Sequence, residues 1–209
     1  MKSLAVTGGI GSGKSFVTGI LSKMGYPVFN TDGETKRLYC EDEVRAVLMK
    51  ILGDKVFLSD GSVDRIRMAS MVFSDSALLH KVENAVYPFL FEKLDGWLEN
   101  KRKHGYELAV VESAVILEKE LFKPLIDKVI TVSAPESIRM DRVVERDGSD
   151  YERVSERMRV QHSDKWREQR SDYVIVNDGR ALLPQISSAL ALLGMECTWA
   201  EPFDKSEKI

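Results

Sequence analysis

Residues 4–15 read LAVTGGIGSGKS. The apolar start of this stretch predicts a short buried strand, and residues 8–15 match the pattern GxxxxGK[ST]. A helix is predicted over residues 14–24, so the glycines lie between a strand and a helix. Glycines let the backbone N–H groups of such a turn point at a chain of phosphates, and the helix N-terminus adds partial positive charge. The stretch therefore predicts a phosphate-binding loop.

Two side chains at the end of this loop carry chemistry. Lys14 is placed to bridge the β- and γ-phosphates of ATP, and the hydroxyl of Ser15 is placed to hold Mg²⁺. The alternative is a glycine-rich turn that binds nothing, and the strand–loop–helix context favours phosphate binding. The loop residues expected to contact ATP are Gly9, Gly11, Ser12, Gly13, Lys14, Ser15 and Phe16.

Four further apolar runs predict strands, at residues 27–29, 108–112, 128–132 and 173–176. Together with the first strand they alternate with helical patterns, and this order predicts an α/β fold with a parallel five-stranded sheet between two helical layers. Residues 33–105 show helical periodicity and no convincing strand pattern. We therefore expect a helical insertion between the second and third strands.

Length and composition limit the class of protein. The chain has 209 residues, of which 44% are hydrophobic, and a formal net charge of −3, which predicts one globular domain and argues against a nucleic-acid-binding coat. Cys40 and Cys197 have no metal-ligand spacing, and no apolar run approaches the roughly 20 residues of a membrane span. We expect a cytoplasmic protein that binds neither nucleic acid nor membrane.

Motifs that are missing narrow the kind of nucleotide-binding protein. The sequence contains neither Asn-Lys-x-Asp nor Asp-x-x-Gly, two motifs of guanine-nucleotide switches, so a protein of that class is not expected. Large motor-type ATPases need a longer chain. A small phosphotransferase fits these absences.

Two acids follow predicted strands. Asp32 comes after the second strand and Glu112 after the third, and ligands of open α/β sheets bind beyond the carboxyl ends of strands. Asp32 could accept a proton from an attacking hydroxyl, whereas Glu112 could hold Mg²⁺ through water or orient the acceptor. The alternative for each is a helix cap or a surface charge.

Three arginines share one face of the helix predicted after the fourth strand. Arg139, Arg142 and Arg146 stand at i, i+3 and i+7, and like charges this close repel unless an anion neutralises them. We expect this helix to act as a lid over ATP. The alternative is a solvated face on which the arginines pair with acids of the same helix. Those acids are Glu136, Asp141 and Glu145.

Several segments together resemble the dephospho-coenzyme A kinase family over nearly the whole chain except its tail. The segments are TGGIGSGKS at residues 7–15, the strand-end Asp32, RVVERD at 142–147, Gln161 and DYVIVN at 172–177. The resemblance implies a nucleotide-binding core of residues 1–31 and 105–198, a helical acceptor domain of residues 32–104, a lid of residues 139–165 and a tail of residues 199–209.

The resemblance also implies roles for single residues. Asp32 would be the general base on the ribose 3′-hydroxyl of dephospho-coenzyme A, Arg142 and Arg146 would close on ATP, and Asn177 would lie near the adenine. The product would be coenzyme A, made by a monomer or small homo-oligomer. The residues expected to serve the acceptor are Asp32, Tyr87, Pro88 and Glu112.

Three positions depart from the family pattern, and residues 115–118, VILE, match the family's apolar segment only loosely. Asn30 replaces the first acid of an Asp-x-Asp pair, Phe16 stands where a threonine usually follows the loop serine, and Tyr87 replaces a histidine before Pro88. Two other functions therefore stay open. One is a kinase for a nucleoside or nucleoside monophosphate, and the other is a protein that senses ATP without catalysis.

Overall fold

The computed structural model describes residues 1–73 and 75–195. The chain divides into two compact units, one formed by Met1–Phe29 with the residues from Lys101 onward and the other by Asn30–Asn100. Cys197 and the predicted tail of residues 199–209 lie outside the described residues. None of the helices in the described ranges combines the length and the apolarity that crossing a bilayer requires.

Five strands in the described residues form one sheet, with the order β2-β3-β1-β4-β5. Their bounds are Lys2–Thr7 for β1, Val28–Asn30 for β2, Leu108–Glu112 for β3, Lys128–Ser133 for β4 and Tyr173–Val176 for β5. β1 pairs in parallel with β3 and β4, and β4 pairs in parallel with β5. The predicted α/β fold with a parallel five-stranded sheet is confirmed.

The sheet-containing unit has five α-helices in the described residues, and the first begins at residue 14 as predicted. They are α1 (Lys14–Lys23), α6 (Glu136–Asp147), α7 (Tyr151–Arg159), α8 (Asp164–Glu168) and α9 (Leu182–Leu192). One apolar cluster joins α1, through Val17 and Leu21, and α9, through Ile186 and Leu190, to buried residues of β1, β3, β4 and β5. α8 packs against β4. Three residues after α8, Ser171 Oγ lies 2.6 Å from Thr131 Oγ1 of β4. This packing fixes the carboxyl end of β1, from which the phosphate-binding loop starts.

The helices of the second unit are α2 (Thr31–Leu38), α3 (Asp42–Leu52), α4 (Arg65–Phe73) and α5 (Ser76–Lys103). Asn30 caps α2, because its side-chain oxygen accepts a hydrogen bond from the backbone N–H of Gly33 at 2.7 Å. α5 buries a stripe of apolar residues four positions apart, at Val82, Val86, Leu90, Leu94 and Leu98. This spacing places them on one face of the helix.

Candidate functional site

The phosphate-binding loop connects the end of β1 to the start of α1. Gly13 has a φ of 96°, which favours glycine, and a Cβ atom there would overlap the side-chain amide of Asn177. That amide donates a hydrogen bond of 2.9 Å to the backbone oxygen of Ser12. The turn after β5 therefore supports the loop directly, and the glycine at position 13 makes this close approach possible.

The substitution Gly13→Ala is expected to lower the free energy of unfolding by about 1–3 kcal/mol, because it adds a side chain where φ is positive. It is also expected to weaken ATP binding, since the added methyl group displaces Asn177 from the loop. Denaturant unfolding and isothermal titration calorimetry measure the two effects.

Gly19→Ala is the matched control, because Gly19 lies inside α1, which Gly13 precedes, and a Cβ there has no neighbouring atom of the described residues within 4 Å. We expect Gly19→Ala to raise stability by about 0.5–1 kcal/mol and to leave ATP binding unchanged. A loss of stability in the control as large as that of Gly13→Ala would contradict this account of the loop.

The two chemical side chains of the loop contact different groups. Lys14 Nζ donates hydrogen bonds to the backbone oxygens of Gly8, at 2.9 Å, and Gly9, at 3.2 Å. Ser15 Oγ lies 2.5 Å from Glu112 Oε1. The structure thus brings together Ser15, predicted to hold the metal, and Glu112, for which metal binding and acceptor binding were both open.

Glu112 is held from a second direction by a residue that the sequence analysis missed. Thr18 Oγ1 donates a hydrogen bond of 2.8 Å to Glu112 Oε2, and only 8% of Glu112 is exposed. A signal for Thr18 was present, because residues three apart on a helix share a face and Ser15 is three positions earlier. The hydroxyl and the carboxylate together form the oxygen-rich environment that Mg²⁺ prefers.

The loop also fits a phosphate chain. Ser12 Oγ is buried and has no hydrogen-bond partner in the part of the chain that the structure describes. A buried hydroxyl without a hydrogen-bond partner is costly unless a ligand or water supplies one.

The side chain of Phe16 projects from the first turn of α1, with 64% of the residue exposed. The backbone N–H of Phe16 donates a hydrogen bond of 3.1 Å to Gly13 O.

The three arginines of α6 have separate partners. Arg142 donates to the backbone oxygen of Asn177 at 3.1 Å and to that of Gly11 at 3.5 Å. Arg139 Nη1 lies 3.4 Å from Asp164 Oδ1. Arg146 Nε forms an ion pair of 2.7 Å with Asp147, its neighbour in sequence. Arg142 therefore contacts the loop and Arg139 pairs with an acid of α8, whereas Arg146 pairs with an acid of its own helix.

Gln161 anchors the tip of the loop. Its side-chain oxygen accepts a hydrogen bond of 2.9 Å from the backbone N–H of Ile10. The sequence analysis noted Gln161 only as part of a resemblance, because nothing in local spacing connects a residue after α7 to the loop. This contact gives the residue a structural role in holding the loop.

The remaining candidates belong to the Asn30–Asn100 unit. Asp32 is the second residue of α2 and is exposed. Tyr87 is half-buried within α5, where its hydroxyl donates a hydrogen bond of 3.0 Å to Glu83, and Pro88 is exposed in the same helix. The side chains of Asp32 and Pro88 are therefore accessible within their own unit.

Comparison with known families decides the family of the chain. The family model described as dephospho-CoA kinase matches residues 3–182. The chain belongs to the dephospho-CoA kinase family. The resemblance drawn from residues 7–15 and 172–177 is thereby confirmed.

Relatives and solved structures agree with this assignment. A dephospho-CoA kinase of Bacteroides fragilis is 35% identical over 192 residues, covering 91% of this chain and 92% of the relative. A solved structure from Thermus thermophilus is 29% identical, with a TM-score of 0.78 and coverage of 92% of this chain and 96% of that chain. A dephospho-CoA kinase structure from Campylobacter jejuni is 20% identical, with a TM-score of 0.63 and coverage of 93% and 96%, and supports the fold alone.

Proposed function

We propose that the protein transfers the γ-phosphoryl group of ATP to the ribose 3′-hydroxyl of dephospho-coenzyme A and so produces coenzyme A. The observation that carries the proposal is a complete phosphate-binding loop, with Ser15 bonded to Glu112, in a chain of the dephospho-CoA kinase family. The cytoplasmic location and the oligomeric state expected from the sequence stay predictions.

The nucleotide binds along the loop. The backbone N–H groups of Gly11, Gly13 and Ser15 and the N-terminus of α1 hold the phosphates. Lys14 exchanges its bonds to Gly8 and Gly9 for the β- and γ-phosphates. Mg²⁺, when bound, neutralises charge on the β- and γ-phosphate oxygens. Ser15 would hold the ion, and Glu112, which is itself bonded to Ser15 and Thr18, would keep the serine hydroxyl in position.

The arginines and Asn177 serve the same nucleotide. Arg142 already contacts Asn177 and the loop at Gly11, so a small movement of its guanidinium reaches a phosphate oxygen. Arg146 has to leave Asp147 to reach the nucleotide, which makes it a group that moves with the lid of residues 139–165. Asn177, whose amide is bonded to Ser12, is proposed to contact the adenosine end of the nucleotide.

The acceptor is activated by Asp32. This residue follows β2 by two positions, and its exposed carboxylate can accept the proton of the 3′-hydroxyl as the oxygen attacks the γ-phosphorus. Tyr87 and Pro88 contribute to the surface of the unit that holds the rest of the acceptor. A tyrosine hydroxyl can donate a hydrogen bond as a neutral histidine does, so the departure at position 87 preserves that function.

An acceptor series tests the proposal. ADP release from Mg-ATP is measured with dephospho-coenzyme A, with its 3′-deoxy analogue and with nucleoside monophosphates. We expect rapid turnover with dephospho-coenzyme A only. Turnover with a nucleoside monophosphate and none with dephospho-coenzyme A would assign the protein to nucleotide metabolism, and ATP binding without turnover on any acceptor would make it a sensor.

A further inference from the structure

Arg139 lies directly on the phosphate-binding loop. Only 9% of the residue is exposed, and a Cβ atom at Gly9 would overlap its Nη1 atom, so the guanidinium rests on the loop backbone. Its Nε atom is buried and has no hydrogen-bond partner among residues 1–73 and 75–195. A buried guanidinium with an unused donor is suited to bind a further anion.

Asp164 is the acid that faces this guanidinium. Its Oδ1 atom lies 3.4 Å from Arg139 Nη1 and 3.6 Å from Arg167 Nη1. The same oxygen is 3.3 Å from the position that a Cβ of Gly9 would take. Neither ion pair has the spacing of about 2.7–2.9 Å that marks a strong charge-assisted hydrogen bond. The pairing is loose, so an anion with more charge can displace Asp164 from Arg139.

The environment of Asp164 weakens its hold further. Lys14, Arg139 and Arg167 attract its carboxylate and Glu168 repels it. Burial is the largest influence, and it raises the pKa of Asp164 above the usual range despite the three cations. The ionised carboxylate is therefore less well stabilised here than in water. When a phosphate takes Arg139, Arg167 still lies 3.6 Å from Asp164 Oδ1 and compensates its charge.

The position of this pair along the phosphate chain follows from the loop. Lys14 bonds to Gly8 and Gly9, and the lysine of such a loop serves the β- and γ-phosphates. Asn177, which the resemblance assigns to the adenosine end, bonds instead to Ser12. Arg139 and Asp164, which both adjoin Gly9, thus lie at the end where ATP carries a phosphate that ADP lacks.

We propose that Asp164 and the terminal phosphate of ATP compete for Arg139, so that Asp164 lowers the affinity for ATP relative to ADP. Arg139 contacts the phosphate, and Asp164 sets nucleotide specificity through Arg139. The inference rests on the proposed ATP-dependent function. It assigns an effect on nucleotide discrimination to a residue that belongs to neither the loop nor the arginine helix.

Calorimetric titration tests this competition with two probes, Mg-ADP and the Mg complex of the β,γ-imido analogue of ATP. We expect Asp164→Asn to bind the ATP analogue about tenfold more tightly, because one like charge near the terminal phosphate is gone. The affinity for ADP is expected to change by less than about twofold, since ADP does not reach Arg139. Arg139→Gln is expected to show the opposite effect, with a selective loss of affinity for the analogue.

A control and a pH series separate competition from a structural role. Asp172→Asn removes the same charge from an ion-paired acid, 2.6 Å from Lys128 at the amino end of β4, and is expected to change neither affinity. Below its folded-state pKa, Asp164 is protonated and no longer competes. As pH falls, the affinity of wild type for the ATP analogue is therefore expected to approach that of Asp164→Asn. The charged groups that face Asp164 are Lys14, Arg139, Arg167 and Glu168.

Equal shifts for both nucleotides, or weaker binding of the analogue by Asp164→Asn, would overturn the proposal and make Asp164 an anchor of α8. If the wild-type protein makes coenzyme A and Asp164→Asn leaves both affinities unchanged, only the competition is wrong. If the wild type binds neither nucleotide, the proposed function fails and the competition fails with it. Should Asp164→Asn not fold, the selective loss in Arg139→Gln decides, and its absence overturns the proposal.

Discussion

The substitution Lys14→Ala is expected to reduce phosphoryl transfer by about 10²–10³-fold, the usual cost of removing one donor that stabilises charge in the transition state. The ammonium group of Lys14 now bonds to the oxygens of Gly8 and Gly9. Loss of the side chain leaves the charge that builds up between the β- and γ-phosphates uncompensated. Single-turnover kinetics with saturating Mg-ATP measure the transfer step directly.

Lys23→Ala is the matched control for this variant, because Lys23 is the exposed last residue of the same helix. It is expected to retain wild-type transfer within about twofold, since surface substitutions have small effects. Transfer by Lys14→Ala at the rate of Lys23→Ala would show that the loop does not act on phosphate.

The substitution Asp32→Asn is expected to lower transfer by about 10²-fold or more while ATP binding is kept, because the amide cannot accept the proton of the acceptor hydroxyl. Asparagine has nearly the same size, so the first turn of α2 keeps its structure. The rate constant of transfer and the dissociation constant of ATP are measured on the same preparation. If the protein only senses ATP, the wild type itself shows no phosphoryl transfer.

Asp42→Asn provides the comparison for Asp32→Asn. Asp42 is the first residue of α3 in the same unit, and its exposed carboxylate makes a pair of 3.3 Å with Arg45. The change removes the same charge near a helix N-terminus and is expected to leave transfer unaltered. Unchanged transfer in Asp32→Asn would remove this residue from the mechanism and would require another base.

The strands and the phosphate-binding loop could be predicted because their signals are local. The predicted bounds of residues 108–112 and 173–176 agree with β3 and β5, and the long helix α5 lies within the predicted helical insertion of residues 33–105. The strand order β2-β3-β1-β4-β5 was not predicted, because it depends on pairing between segments as distant as Lys2 and Leu108. Continuous apolar runs identify buried strands but not their neighbours.

Contacts between distant segments explain what the sequence could not predict in the site. The spacing of the arginines on α6 predicted that they share a face. It could not predict that Arg139 pairs with Asp164 and Arg142 with Asn177, because these partners come from later elements. The alternative of pairing within the helix holds for Arg146, whose partner Asp147 ends α6, although the acids named for it were Glu136, Asp141 and Glu145. Asp141 instead accepts a hydrogen bond of 2.9 Å from Tyr151.

The departure at position 30 has a local physical reason. Asn30 caps α2 with its side-chain oxygen, and either asparagine or aspartate can do so. The cap therefore explains why an amide is tolerated where relatives of this family are expected to carry an acid. The departure at position 16 has no such explanation. The ring of Phe16 is exposed, and it cannot make the hydrogen bonds of the hydroxyl that it replaces.

Transfer of labelled phosphate tests the central claim most directly. Purified protein is incubated with Mg²⁺, dephospho-coenzyme A and ATP that is labelled in its γ-phosphate, and the position of the label is determined by mass spectrometry and ³¹P NMR. The account predicts stoichiometric label on the ribose 3′-oxygen of coenzyme A. Label that appears only as inorganic phosphate, or on any other hydroxyl, would contradict it.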